Sequence, residues 1–328
     1  MMSYILVDAA NMFFRARHVV RGDMNTKIGM SYHIMFNSIN KVFREQKGTH
    51  VVLCLEGRSW RKDAYEPYKN NRKVARAALT EAEQEEDRAF WDAFDGLKSF
   101  FEKRTNVTVL QHGECEADDF IARWIQNHPT DKHCIVSSDS DFYQLLAPNV
   151  QQYNGITGQL ITVEGIFDDK GKVVMDKKTK APKELGDPQW LLFEKCIRGD
   201  TSDNVFSACP GARKKGTKNK VGMLEAFADK DNKGYNWNNF MLQRWTDHEG
   251  VEHRVLDDYN RNVTLCDLTA QPTHIRLQIL QTLGEVETKD VTQVGMKLMK
   301  FCAKWDLQRI ADQAITFAEP LNAKYPGK

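Results

Sequence analysis

The sequence predicts an α/β fold, with a central, mostly parallel sheet flanked by helices and followed by a helical C-terminal part. Short, continuous apolar runs alternate with helical patterns through the first half of the 328 residues, and the last third repeats apolar residues at helical spacing. Unbroken apolar strands separated by helices are typical of parallel strands buried on both faces. The length allows one large core or two smaller ones.

The individual elements follow from these patterns. The predicted strands are residues 4–7, 51–55, 107–110 and 133–136. The predicted helices of the first half are residues 34–43, 90–101 and 116–127. Glycines between 150 and 185 indicate hairpin turns. Asp187 followed by Pro188 predicts a helix start, and apolar stripes over 291–305 and 307–317 predict two C-terminal helices.

Composition excludes several classes of protein. The 46 basic and 45 acidic residues leave a net charge of +1, so the net charge by itself does not indicate a nucleic-acid partner. No apolar run approaches the roughly 18 residues of a membrane span, and we expect neither a signal peptide nor a membrane partner. Seven scattered cysteines without a CxxC pair predict reduced thiols and a cytoplasmic protein.

Acidic residues follow each of the four predicted strands. Because the carboxyl ends of parallel strands share one edge of the sheet, where open α/β sheets place their sites, we expect these acids to lie together. A GDxxDN element at the end of the helix that starts at Pro188 adds two more acids. The candidate metal ligands are Asp8, Glu56, Glu116, Asp118, Asp119, Asp139, Asp141, Asp200 and Asp203.

A cluster of carboxylates needs cations. Two like charges ~4 Å apart cost on the order of 4 kcal/mol at an effective dielectric near 20, so converging acids must take up protons, scatter or bind metal. Oxygen ligands without His or Cys favour Mg²⁺ or Mn²⁺, and two such ions suit in-line attack on a phosphodiester. Taken singly, each acid is as well explained by a solvated surface or a helix dipole.

Two basic stretches flank the acids along the chain. Residues 57–76 carry seven basic and two acidic residues, residues 207–222 carry five basic residues and no acid, and residues 81–95 carry a net charge of −6. Basic stretches of this kind bind phosphates without reading sequence, and an interleaved aromatic ring can stack on a base. The candidate nucleic-acid contacts are Arg58, Arg61, Lys62, Tyr68, Lys69, Arg72, Lys73, Arg76, Arg213, Lys214, Lys215, Lys218 and Lys220.

The ordered set of motifs resembles the 5′-nuclease superfamily of flap endonucleases and polymerase-associated 5′→3′ exonucleases, and is most similar to the phage ribonuclease H enzymes. The matching segments are ILVD at 5–8 with Asn11, LCLEG at 53–57, WRK at 60–62, YKNNR at 68–72, EADD at 116–119, SSDSDF at 137–142 and GDTSDN at 199–204. The resemblance implies a PIN-like core and structure-specific cleavage of 5′ flaps or RNA–DNA hybrids, with primer removal as the role in replication.

The resemblance also implies roles for particular residues. Two Mg²⁺, for which Mn²⁺ can substitute, would share the acids. The first ion would lie among Asp8, Glu56, Glu116 and Asp118, with Asp139 near both ions, and the second would lie among Asp119, Asp141, Asp200 and Asp203. Lys69 and Arg72, at the base of an arch over about residues 57–95, would stabilise charge on the scissile phosphate, so these two and Asp139 are the predicted catalytic residues. Glu56 stands where the family usually has Asp.

The change along the chain from alternating strands and helices to a helical pattern predicts two domains. Residues 1–190 would form the catalytic domain, and residues 191–328 a helical DNA-binding part with a helix–hairpin–helix-type element. The basic segment 210–222 is longer than the family's compact loop. We expect a monomer that binds DNA and RNA–DNA hybrids as flap or junction substrates, and a single-strand binding protein is a candidate partner. If the protein is phage-encoded, we expect it in the host cytoplasm.

Three other functions fit part of the pattern. A PIN-like single-strand ribonuclease shares the acids at the strand ends and would prefer unstructured RNA. A non-catalytic junction-binding protein could keep the fold without cleaving its ligand. A sugar-nucleotide transferase could use Asp139 and Asp141 as a DxD motif.

Overall fold

The computed structural model describes residues 1–327, except for the side chains of Ala16, His18 and Val19. The chain forms two compact units. The first comprises residues 1–59, residues 79–185 and the C-terminal stretch from Thr273, and the second comprises residues 60–78 and 186–272. In the described part of the chain, no helix is both long and apolar enough to cross a membrane.

A seven-stranded sheet forms the centre of the first unit. Its strands are β1 (Ser3–Asp8), β2 (His50–Cys54), β3 (Thr108–Leu110), β4 (Lys132–Val136), β5 (Val150–Asn154), β6 (Gln159–Thr162) and β7 (Gly165–Phe167). They lie in the order β3-β2-β1-β4-β5-β6-β7. The first five are mutually parallel, and β6 and β7 join through antiparallel hairpins. The predicted, mostly parallel sheet is confirmed, and β5 extends its parallel part beyond the four predicted strands.

Helices surround the sheet and build the second unit. Those of the described residues are α1 (Ala9–Val19), α2 (Met24–Glu45), α3 (Arg61–Ala64), α4 (Asn70–Ala77), α5 (Glu81–Arg104), α6 (Ala117–Asn127), α7 (Pro188–Arg198), α8 (Met223–Ala228), α9 (Tyr235–Met241), α10 (Val255–Cys266), α11 (Thr273–Gly284), α12 (Val294–Lys304), α13 (Gln308–Ala311) and α14 (Ala314–Asn322). A 3₁₀ helix spans Ser140–Leu145.

The C-terminal helices belong to the core of the first unit. Leu298 of α12 and Leu321 of α14 are fully buried in one apolar cluster with Phe36 of α2 and Phe101 of α5. Burial of a side chain of this size contributes about 1.5–3 kcal/mol to the free energy of unfolding. The apolar residues of the predicted C-terminal helices therefore stabilise the first unit. The compact units therefore differ in their bounds from the predicted division at residue 190.

The second unit is mainly helical. Its α7 begins as the sequence predicts, because the Asp187 carboxylate accepts a hydrogen bond from the Gln189 amide at 3.2 Å and Pro188 occupies the first turn. Trp190 and Phe193 of α7 pack with Trp237 of α9 in its core. A short hairpin of β8 (Arg244–Thr246) and β9 (Glu252–Arg254) precedes α10.

Candidate metal centre

The carboxyl edge of the sheet places its acids at the point where the strand order reverses. β1 lies between β2 and β4, and Val7 is level with Val136, so Asp8 at the end of β1 sits beside the loop that follows β4. A crevice at such a point is the usual ligand site of an open α/β sheet. Asp8 is only 3% exposed, so its carboxylate is held inside the protein.

A serine joins the acid of β1 to the acids after β4. The buried Ser137 hydroxyl donates to Oδ2 of Asp8 at 2.9 Å and accepts a hydrogen bond from the Asp139 amide at 3.1 Å. Oδ1 of Asp139 in turn accepts from the Asp141 amide at 2.9 Å, which starts the 3₁₀ helix. The structure thus brings Asp8 and Asp139 into one hydrogen-bonded network, as their positions after parallel strands predict.

Gln152 on β5 supports this loop, and sequence reasoning missed it. The side chain is fully buried, and its Nε2 donates to the carbonyl oxygens of Ser137 at 2.9 Å and Asp139 at 2.7 Å. A buried glutamine needs such partners because unpaired polar groups are costly to bury. The only sequence signal is a polar residue at the centre of the run Val150–Asn154, which a surface strand would explain equally well.

The first turn of α6 supplies the next acids. Glu116, 3% exposed, is the residue before α6, and Asp119, fully buried, accepts the Glu116 amide on Oδ2 at 3.0 Å. Oε2 of Glu56 accepts the Ala117 amide at 3.3 Å, so the acid that follows β2 reaches the start of α6. Asp119 therefore caps this helix, which is the simpler of the two roles the sequence allows.

The pKa of Asp118 is affected by the acids around it. Burial raises the pKa of its carboxyl well above the usual range, and the charges of Asp8, Glu56, Asp139 and Glu116 raise it further. These five carboxylates come from four separate segments of the first unit. A set of oxygen donors that repel one another at a sheet edge fits hard divalent cations, which prefer oxygen ligands.

The acids of the second unit have cationic partners. Burial raises the pKa of Asp200, but Lys195 and Ser202 outweigh burial and lower it to about 2. Lys195 Nζ lies 2.6 Å from Oδ2 of Asp200, and the Ser202 amide and hydroxyl donate to Oδ1 at 2.8 and 2.7 Å. Gly199 precedes this turn at φ +77°, where an added Cβ would come within 2.3 Å of the Val205 carbonyl oxygen. Glycine is therefore required there.

Asp203 contacts both Lys69 and Arg72, the two basic residues that are predicted to be catalytic. Arg72 Nη2 lies 2.7 Å from Oδ1 of Asp203, and Lys69 Nζ lies 3.6 Å from Oδ2. The Tyr68 hydroxyl donates to the same Oδ2 at 3.0 Å, and the Lys69 amide donates to the Asp203 carbonyl oxygen at 2.8 Å. One carboxylate therefore positions the start of α4, which carries the predicted catalytic arginine.

Two predicted nucleic-acid contacts are wrong. Tyr68 is 4% exposed and packs with Cys196 and Val205, so its ring anchors the second unit and offers no stacking platform. Arg61 is 1% exposed and donates from Nε to the Leu265 carbonyl oxygen at 2.9 Å. Its guanidinium therefore satisfies a buried carbonyl oxygen, since such oxygens need hydrogen-bond donors.

The remaining basic candidates are open to solvent or partly so. The exposed ones are Arg58, Lys62, Arg72, Lys73, Arg76, Arg213, Lys214, Lys215, Lys218 and Lys220, and Lys69 is half-buried. The loop that carries the last four of these is closed by Glu225, whose Oε2 accepts the amides of Gly216 at 2.9 Å and Gly222 at 3.0 Å. These positions suit phosphate contacts, and their role stays a prediction.

Comparison with known proteins identifies relatives. Residues 3–177 match the family model for the 5′-3′ exonuclease N-terminal, resolvase-like domain. DNA polymerase I of Rhizobium leguminosarum is 26% identical over 310 residues, covering 90% of this chain but only 27% of the polymerase. Flap endonuclease Xni of Shewanella loihica is 29% identical over 228 residues, covering 68% of this chain and 76% of that enzyme.

The fold is shared with solved structures of bacteriophage T5 enzymes. The T5 5′-exonuclease with bound zinc ions has a TM-score of 0.58 at 18% identity, covering 97% of this chain and all of the T5 chain. A T5 flap endonuclease in complex with DNA and metal ions has a TM-score of 0.58 at 17% identity, covering 97% of this chain and 99% of the T5 chain.

Proposed function

Since the chain belongs to the family of the 5′-3′ exonuclease N-terminal, resolvase-like domain, we propose that it is a structure-specific 5′-3′ nuclease. It hydrolyses phosphodiesters at junctions between single strands and duplexes, and removal of primers during replication is its role. The observation that carries the proposal is the grouping of acids at the carboxyl edge of the sheet, where Ser137 links Asp8 and Asp139 by hydrogen bonds and Glu56 reaches the start of α6. Flap endonucleases among the relatives support this substrate class.

Two Mg²⁺, or Mn²⁺ in their place, are the cofactors of this proposal. The first ion is held by Asp8, Glu56, Glu116, Asp118 and Asp139. Asp200 and Asp203 would serve the second ion. Asp141 and Asp119 are further proposed metal residues, and Asp119 would act through the α6 terminus that it caps. When bound, such ions lower the pKa of water and offset charge on the phosphate.

The chain's own residues orient the substrate and balance its charge. Lys69 and Arg72 contact Asp203, and in this proposal they pair with phosphate oxygens as negative charge develops on them. Exposed lysines and arginines of α4 and of the loop 213–220 hold the backbone without reading sequence. DNA flaps and RNA–DNA hybrids are both substrates of the proposed enzyme, which acts as a monomer, and a single-strand binding protein is its candidate partner.

Cleavage of a 5′-labelled flap duplex tests the proposal. We expect cleavage with Mg²⁺ or Mn²⁺, none in EDTA, and products with a 5′ phosphate. Asp139→Asn should abolish cleavage while leaving flap binding in EDTA unchanged, because it removes a proposed metal ligand and no phosphate contact. Asp131→Asn is the matched control, since Asp131 precedes β4 at the opposite edge of the sheet and accepts the Met2 amide at 2.7 Å.

Two results would contradict the proposal. Cleavage that persists in EDTA would exclude a metal-dependent mechanism. Faster cleavage of unstructured RNA than of the flap would favour a single-strand ribonuclease, and tight junction binding without any cleavage would favour a non-catalytic protein.

A further inference from the structure

One phenylalanine ring of the second unit is open to solvent. Phe206 is 56% exposed, whereas every other phenylalanine within residues 1–327 is buried or half-buried. Exposed apolar side chains that stand alone are common on protein surfaces, so exposure by itself indicates no function. Whether such a ring binds a ligand depends on how it is held and on what lies beside it.

The backbone of Phe206 is held from two sides. Its carbonyl oxygen accepts hydrogen bonds from Asn262 Nδ2 at 2.8 Å and from Arg261 Nη2 at 3.0 Å, and Asn262 is fully buried. The preceding residue, Val205, exchanges two backbone hydrogen bonds of 2.8 Å with Asp200. The ring is therefore presented to solvent from a fixed backbone, so binding a ligand would cost it little conformational entropy.

The segment that carries Phe206 lies against the basic stretch of the same unit. The ring meets that of Tyr65 edge-on, with 6.2 Å between the ring centroids. Residues 60–78 and 199–208 together carry six basic and four acidic residues, which leaves a net charge of +2. An aromatic ring beside a positively charged segment is the combination that binds single-stranded nucleic acid.

Phe206 is also close to the proposed phosphate contacts. Asp203, which Lys69 and Arg72 contact, precedes Phe206 by three residues. Three residues span at most about 11 Å, which corresponds to about three nucleotides at the duplex spacing of about 3.4 Å. A strand whose phosphate pairs with Lys69 or Arg72 therefore has a base within reach of the ring.

We propose that Phe206 is the stacking platform for an unpaired base of the single-stranded flap. The site rests on the proposed nuclease function and extends it, because a free ring favours bases that are not already stacked in a duplex. Every base has a π-face, so the ring adds affinity without selecting a sequence. The ring of Tyr68, which is only 4% exposed, is not available for this role.

Binding of a 5′-flap substrate in EDTA, measured by fluorescence anisotropy, tests the site. Phe206→Ala should weaken binding about 5–150-fold, and Phe206→Leu should do so to a similar extent because leucine has no π-face. Phe206→Trp should bind within about two-fold of wild type, since it keeps a stacking ring. Tyr235→Ala is the control and should have no effect, although Tyr235 of α9 is a 78% exposed ring in the same unit. An equal loss in this control would show that any exposed ring contributes, and would overturn the site.

Removal of the bases from the flap gives a second measurement. An abasic flap keeps the phosphates, so it should bind wild type more weakly than the normal flap, and Phe206→Ala should not distinguish the two. 2-Aminopurine in the flap should lose fluorescence on binding to wild type, because stacking quenches it, and should lose less on binding to the variant. Thermal unfolding of the variant should be unchanged.

The site and the proposed function fail separately. Equal affinities of wild type and Phe206→Ala for the flap, or an equal loss on a blunt duplex without a flap, would overturn the stacking site while leaving the nuclease proposal intact. A wild-type protein that neither binds nor cleaves flaps would instead overturn the proposed function.

Discussion

Removing one hydroxyl should weaken the proposed metal centre without changing any of its proposed ligands. Ser137 is fully buried, and its Oγ joins the Asp8 carboxylate to the Asp139 amide. Ser137→Ala deletes both hydrogen bonds and leaves a buried amide without this acceptor. We expect metal affinity to fall, because Asp8 and Asp139 are then no longer held in one geometry.

The magnitude follows from the kind of hydrogen bond that is lost. A hydrogen bond to a charged group contributes about 1.5–3 kcal/mol, and tenfold in affinity corresponds to about 1.4 kcal/mol. Loss of a group that orients metal ligands usually costs about 10–100-fold in affinity. The two estimates agree, so Ser137→Ala should raise the Mn²⁺ dissociation constant by about 10–100-fold.

Two readouts and a neighbouring serine make the result decisive. Electron paramagnetic resonance of free Mn²⁺ gives the dissociation constant directly, and the Mg²⁺ dependence of flap cleavage should shift by the same factor. Ser140→Ala is the control, since Ser140 is exposed on the 3₁₀ helix of the same loop. A Ser137→Ala protein that binds Mn²⁺ within about two-fold of wild type would refute the proposed link between the two acids.

Further predictions concern the acids and their supports. Because Asp118 has a raised pKa, stability of the metal-free protein should fall as pH rises from the ordinary carboxyl range through that pKa; Asp118→Asn should remove the loss in thermal-unfolding scans and abolish cleavage. Tyr68→Phe removes the hydroxyl that donates to Asp203 and should cost about 1 kcal/mol in urea unfolding and slow single-turnover cleavage. Gln152→Leu should cost about 1–3 kcal/mol and weaken Mn²⁺ binding, whereas Gln151→Leu on the same strand should spare Mn²⁺ binding.

Much of the first unit could be predicted because its signals are local. Each of the first four strands is a short apolar run, and burial on both faces leaves no alternation to confuse it with a surface strand. The acids after those strands share an edge for a topological reason that needs no coordinates. That is why the grouping of Asp8, Glu56, Glu116, Asp118 and Asp139 follows from the sequence.

The rest depends on partners that are distant along the chain. Arg61 and Tyr68 lie in a basic stretch and look like surface contacts, yet the Leu265 carbonyl oxygen and the Asp203 carboxylate hold them inside. Gln152 shows the same limit, since only the positions of two carbonyl oxygens make a buried glutamine useful. The spacing of apolar residues in α12 and α14 predicts that these segments are helices. It does not predict that their apolar faces pack against α2 and α5.

The two groups of acids differ in electrostatics, and this predicts unequal metal sites. Burial raises the pKa of Asp118 and the neighbouring carboxylates raise it further, so a cation there relieves repulsion. Asp200 has a pKa near 2 because Lys195 balances it, and Asp203 is paired with Arg72. An ion that uses the second group must compete with these cations and should bind more weakly.

Titration of Mn²⁺ measures this difference. We expect one tight and one weak site, separated by at least about tenfold, since displacing a paired cation costs about as much as a hydrogen bond to a charged group contributes. Lys195→Met should tighten the weak site and leave the tight one unchanged, because it removes the competing ammonium group 2.6 Å from Asp200. Arg198→Met on the same helix is the control, since its guanidinium pairs with Glu194 instead. Two equal sites in the wild type would show that the second group is not balanced in this way.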